Sequence, residues 1–133
     1  MGQSFKVVNL DKKEWFSPSS LDDEGVKFGE FVQGDTPRLL AYLTSRSSDP
    51  SGLVKFHYEG PDKGKFESSK YAMRWAGDRI VIIGEYDTSG LYSKVNGADW
   101  KGIGREAYAE FKRMGYGRRP IPSRTERRRM GRM

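Results

Sequence analysis

The side chains best suited to chemistry crowd into residues 115–133, GYGRRPIPSRTERRRMGRM, where Arg118, Arg119, Arg124, Arg127, Arg128, Arg129 and Arg132 stand against one acid, Glu126. Guanidinium is a planar, permanently charged fork that pairs bidentately with phosphate and stacks on bases, whereas lysine offers a point charge. Every basic residue of this segment is arginine, and Tyr116 adds an aromatic ring. Gly and Pro interrupt it and too little apolar surface is present to bury, so alone it is expected to be disordered. Arginine-rich segments that order on RNA have this composition. The expected partner is therefore the phosphate backbone of RNA or DNA, held by Tyr116 and the seven arginines. A solubilising or protein-binding tail would share the composition.

Other constellations offer less. The chain has no cysteine and one histidine, His57, so Cys–His nucleophilic catalysis is excluded and a zinc site of clustered Cys and His is absent. GPDKGK at residues 60–65 approaches a phosphate-binding loop, but it is one residue short and Phe66 stands where Ser or Thr would hold magnesium. Glu85 and Asp87 share a face if their segment is extended, and with Asp78 they bracket an apolar run, which suits a cation or acid–base pair as well as simple strand termini. Asp22-Asp23-Glu24-Gly25 lacks the alternation of a calcium loop and reads as a solvated turn. No enzymatic activity, cofactor, metal or small-molecule substrate is expected.

The elements that must carry these groups follow from pattern. Ser4–Leu10 alternates as a strand, and a polar turn at Asp11–Lys13 leads to Glu14-Trp15-Phe16, which predicts a β-hairpin. Residues 17–25 read as loop, and Val26–Val32 as a strand or a helical turn. Thr36-Pro37 predicts a helix start, with Thr36 as the cap and Leu39, Leu40 and Leu43 on one side to about Ser45. Leu53–Tyr58 predicts a strand, followed by a turn over residues 59–64. Ile80-Val-Ile-Ile83 is apolar and β-branched enough to predict a central strand. Trp100, Ile103, Ala107, Phe111 and Met114 form one stripe of a last helix, capped by Asp99, or starting nearer Arg105 because Gly102 and Gly104 weaken its first turn. Gly115 suits its left-handed stop.

A chain of 133 residues supports one core. The expected fold class is α+β: a small, mostly antiparallel sheet with one or two packed helices in residues 1–114, and an extended tail in 115–133. Residues 1–114 carry seventeen basic and seventeen acidic side chains, so the net charge of +6 belongs to the tail. The longest apolar run is Ile80–Ile83, far short of a membrane span. The N-terminus lacks the pattern of a secretory signal, Lys6 spoils a myristoylation site at Gly2, and the missing cysteines suit a reducing compartment, so a cytoplasmic location is expected.

MGQSFKVVNLDKKEW and WAGDRIVIIGEYD resemble the two signature blocks of a family of small uncharacterised proteins of prokaryotes, their viruses, and some eukaryotic and giant-virus genomes. The likeness covers residues 1–32 and 74–92 and implies a shared fold without implying an activity. The chain departs from the family pattern in lacking a glycine-rich run in residues 45–70, and the arginine tail looks like an addition. Gly77–Gly84 is also similar to the turn-and-strand motif of KOW-type β-barrels, although any turn leading into a core strand would look the same. The function expected is a non-catalytic nucleic-acid-binding module, a peripheral component of a ribonucleoprotein assembly such as a ribosome, touching other proteins of that assembly. The alternative is a virion or assembly protein whose tail contacts packaged genome or an acidic subunit.

Overall fold

The computed structural model describes residues 2–117; the arginines from Arg118 to Arg132, and the expected extended tail, lie outside the described residues. Val7 and Val8 set the plan of the body. Adjacent strand residues point to opposite faces of a sheet, and both valines are fully buried, so this sheet is covered on both sides.

The fold is α+β, as its pattern predicts. β1 (Phe5–Asn9) and β2 (Glu14–Phe16) form the expected antiparallel hairpin, with Val7 opposite Phe16. The Asn9 side-chain oxygen closes the turn by accepting the N–H groups of Asp11 and Lys12 at 2.9 and 2.8 Å. β3 (Ile80–Gly84) lies antiparallel to β1, and a two-residue β4 (Lys101–Gly102) runs parallel to β2, giving the order β3-β1-β2-β4. Among the described residues the helices are α1 (Phe28–Phe31), α2 (Asp35–Thr44), α3 (Leu91–Lys94) and α4 (Gly104–Arg113), with a 3-10 turn at Pro18–Ser20.

α2 and α4 cover one face of the sheet, where Val7, Phe16, Leu39, Leu43, Trp75, Ala107 and Phe111 share a core. On the other face, α3 and the chain after it bring Val95, Leu91, Tyr92 and Trp100 onto Val8 and Ile83.

Four expectations are corrected. β3 is an edge strand rather than a central one: its apolar run reflects cover on both faces, with Ile80 packed into the first cluster and Val81 and Ile83 into the second, while Ile82 remains 39% exposed. Trp100 does not join Ala107 and Phe111, because α4 begins only at Gly104 and Trp100 lies across the sheet from it. Gly104 is required where it stands: a Cβ there would come within 2.0 Å of the Ser20 hydroxyl and 3.1 Å of the Phe16 Cβ. Leu53–Tyr58 joins no sheet, since residues 45–79 contain neither helix nor strand, only a small irregular hairpin in which Phe56 bridges Phe66. Lastly, α2 starts at Asp35 and Thr36 is not its cap. The Glu24 carboxylate accepts the N–H groups of Asp35 and Thr36 at 2.6 and 3.0 Å and the Thr36 hydroxyl at 2.6 Å, capping the helix from another segment.

Ile82 and Ile83 separate the two accounts of β3. Replacing buried Ile83 with Ala is expected to cost roughly 2–4 kcal/mol, whereas Ile82→Ala at a part-exposed position of an edge strand should cost only about 1 kcal/mol. Urea unfolding of both variants checks this, and equal costs would mean that Ile82 is covered.

Candidate functional site

The place where α4 ends and the arginine segment begins is built by a defined stop. Met114 closes the helix, Gly115 takes φ 92, and the N–H groups of Gly115 and Tyr116 donate to the carbonyls of Lys112 and Phe111 at 2.9 and 3.2 Å. This is the paired-bond termination that favours glycine at the left-handed position and an apolar contact just beyond it. Tyr116 supplies that contact: its ring lies 5.6 Å from Phe111 and 6.0 Å from Tyr42. Its hydroxyl proton is shared between the carbonyl oxygens of Gly52 and Leu53, at 2.8 and 2.9 Å. Of the expected contact residues, Tyr116 is thus held on the body, at the wall of a cleft of about 320 Å³ with Arg38, Ala41 and Tyr42. The seven arginines follow it, outside the described residues.

Buried carboxylates organise the surroundings. Glu110 faces inward from α4 and is 4% exposed. It accepts the hydroxyls of Tyr42 and Ser69 at 2.6 and 2.8 Å and the N–H groups of Lys70 and Tyr71 at 2.7 and 3.2 Å. Burial pushes its carboxyl up, but these donors outweigh burial and hold it below the usual carboxylate range. Burial and the Glu110 hydrogen bond together push the Tyr42 phenol well up. Glu14 on β2 behaves alike: burial opposes its charge, while Arg74, at 2.7 to 3.1 Å through two nitrogens, and the Trp75 indole N–H, at 2.8 Å, hold it low. Asp35 on α2 accepts the Tyr108 hydroxyl at 2.6 Å.

On the other face the Lys6 amine sits over the rings of Tyr92 and Trp15, at 4.0 and 4.9 Å, and donates to the Tyr92 carbonyl at 2.8 Å. Burial lowers its pKa. Among the described residues no buried side-chain nitrogen or oxygen lacks a hydrogen-bond partner.

The weaker candidates have local explanations. Glu85 and Asp87 do not meet as a pair: Glu85 accepts the Ser4 N–H at 2.9 Å and Asp87 the Ser89 N–H at 3.0 Å. Asp78 accepts the Asn9 amide and the Lys12 amine, pinning the β1 turn. His57 pairs with Glu67 at 2.7 Å. Asp22-Asp23-Glu24 is more than a solvated turn, since Glu24 caps α2 and Asp22 accepts the Tyr108 hydroxyl. Among the described residues no group of three or more His, Asp and Glu side chains could hold a metal ion, and no helix is long and apolar enough to cross a membrane.

Sequence reasoning missed Glu110, although a carboxylate flanked by Ala107, Phe111 and Met114 on the apolar stripe carried the signal. No protein-family model, curated protein or solved structure matches the chain.

Because the folded-state carboxyls of Glu14 and Glu110 titrate below their unfolded values, the stability they contribute is full above the usual carboxylate range. It is lost as pH falls through the folded values. Glu110→Ala, which strands several buried donors, is expected to cost roughly 2–4 kcal/mol at neutral pH. That cost should shrink as the pH is lowered, and denaturant midpoints at neutral and acid pH measure it.

Proposed function

We propose that this chain is a non-catalytic, cytoplasmic nucleic-acid-binding module, a peripheral component of a ribonucleoprotein assembly such as a ribosome. In this reading the α+β body docks among the assembly's other components while the arginine segment runs along phosphates. One observation carries it: the whole net charge of +6 lies beyond residue 117, and the residue from which that charge departs is fastened to the body through its ring and its hydroxyl.

A tail leaving from a fixed root delivers its charge near a defined place on the surface. Less ordering entropy then opposes binding than for a freely swinging segment. The body competes little for the anion. Its charges balance, and several carboxylates are already committed to internal donors, Glu14 to Arg74, Glu110 to Tyr42 and Glu24 to the start of α2.

The test is truncation after Gly117, which removes all seven arginines and keeps the Tyr116 anchor. Log affinity of the full chain for RNA should fall with log salt by about 0.7 to 0.9 per phosphate neutralised. The truncated chain should show a flattened slope and affinity lower by orders of magnitude, with an unchanged melting temperature. Cutting before Tyr116 should also lower the melting temperature, because an anchored aromatic ring is lost. Equal affinity and slope for the full and Gly117-truncated chains would overturn the reading.

A further inference from the structure

The hairpin within residues 55–67 adds no strand to the sheet, and its own pairing is short. Phe56 and Phe66 form an antiparallel bridge, His57 and Lys65 are joined by an N–H donated to a carbonyl at 2.9 Å, and Gly64 donates to the His57 carbonyl at 2.8 Å. The period of two places Phe56, Tyr58 and Phe66 on one face and Lys55, His57, Lys65 and Glu67 on the other. The 2.7 Å pairing of His57 with Glu67 agrees with that division. On the aromatic face the three rings are contiguous, Phe56 lying 4.8 Å from Tyr58 and 5.1 Å from Phe66. Tyr58 and Phe66 are open to solvent, at 76% and 39% exposure, and Phe56 is half-buried beside them. With Ser51 and Gly52 they border a recess of about 240 Å³.

We propose that this aromatic face is a stacking platform for the bases of an unpaired nucleic-acid strand. The inference rests on the nucleic-acid reading above and gives it a form of ligand. Three observations select this occupant. The exposed rings of Tyr58 and Phe66, each packed edge-to-face with Phe56, offer π-faces that any base can cover, and such stacking is what single-strand-binding surfaces add to charge.

Charge is also supplied at the right place. Gly52, which borders the recess, accepts the Tyr116 hydroxyl at 2.8 Å. Tyr116, which precedes the arginines in sequence, is therefore fastened at the border of the recess. On the hairpin itself Lys63 near the tip, and Lys55 and Lys65 on the face opposite the rings, take part in no ion pair among the described residues, whereas Glu67 is engaged by His57 and Arg113. Glu59 and Asp62 are the acids left at its tip. A duplex hides its base faces, so it would engage the tail and leave the platform unused.

Binding of fluorescently labelled oligouridylate, oligothymidylate and a mixed-sequence duplex to the full chain separates these contributions. Tyr58→Ala should weaken both single strands by about 5- to 100-fold, leave duplex affinity and melting temperature unchanged, and leave the salt slope intact. Phe66→Ala should act in the same direction, and Tyr58→Trp should restore binding. A preference for oligouridylate over oligothymidylate would mark RNA as the strand recognised, and the reverse order DNA. Wild-type single-strand affinity in Tyr58→Ala and Phe66→Ala would overturn the platform while leaving the tail reading standing. So would an equal loss on duplex. If truncation after Gly117 changes nothing on any of the three ligands, the tail reading fails separately.

Discussion

Two buried glutamates hold this fold together across its weakest part. Between the end of α2 and the start of β3 the chain runs through residues 45–79 without a helix or a strand, far longer than the connections usual in compact domains. Such a segment has no ladder of its own to satisfy its backbone, and it must be tied down by side chains. Glu110 accepts the N–H groups of Lys70 and Tyr71 and the Ser69 hydroxyl, and Glu14 receives Arg74 and the Trp75 indole. A buried carboxylate is costly unless several donors converge on it, and here that requirement is met by one connection. Between those two tethers, Tyr71 and Trp75 enter the core, so the apolar burial and the polar tethers fix the same residues.

The rest of the architecture adapts to this. A sheet covered on both faces needs strands with apolar residues in succession, and β1 and β3 have them. Cover on the second face is thin, provided by the four-residue α3 and the turn after it, with the Lys6 stem and amine sandwiched between Trp15 and Tyr92. Placing an amine there, with ring faces and a carbonyl as its partners, lets a polar strand position close a small core that lacks a larger helix.

How much of this was legible followed from the range of the interactions. The hairpin of β1 and β2, the α4 stripe from Ile103 to Met114, and the stop at Gly115 are local patterns, and they appear as read. The strand Ile80–Gly84 was visible but its rank was not, because a run buried on both faces looks the same at an edge as at the centre. The α2 cap was misassigned since the group that supplies it, Glu24, lies in a separate segment, and Thr36 in fact donates its hydroxyl to that carboxylate. Trp100 matched the α4 stripe by spacing alone, and the helix begins after it. The aromatic hairpin was readable as alternation at Phe56 and Tyr58, but its pairing partner stands beyond a Pro/Gly turn. Its lack of a neighbouring strand could be learned only from the fold. The arginine segment announced itself by composition, whereas the anchoring of Tyr116 depends on carbonyls of residues far earlier in the chain.

Glu110 also relates the root of the arginine segment to the aromatic hairpin, the two elements proposed to bind nucleic acid. Its carboxylate accepts the Tyr42 hydroxyl, and the Tyr42 ring packs against Tyr116, the root of the arginine segment. The same carboxylate holds the Ser69 hydroxyl and the backbone N–H groups of Lys70 and Tyr71, at the C-terminal end of the segment that carries the aromatic hairpin. The other end of that segment is fixed by Tyr116 itself, through the carbonyls of Gly52 and Leu53. The root of the tail and both ends of the hairpin segment therefore converge on one inward-facing residue of α4 and its immediate contacts. A surface that combines a charged element and a stacking element gains affinity only if the points from which both depart are held at a fixed separation while both engage. In this molecule that separation is set by a closed loop of contacts, from Glu110 through Tyr42 to Tyr116 and back along residues 52–71, rather than by the sheet on which the fold is built.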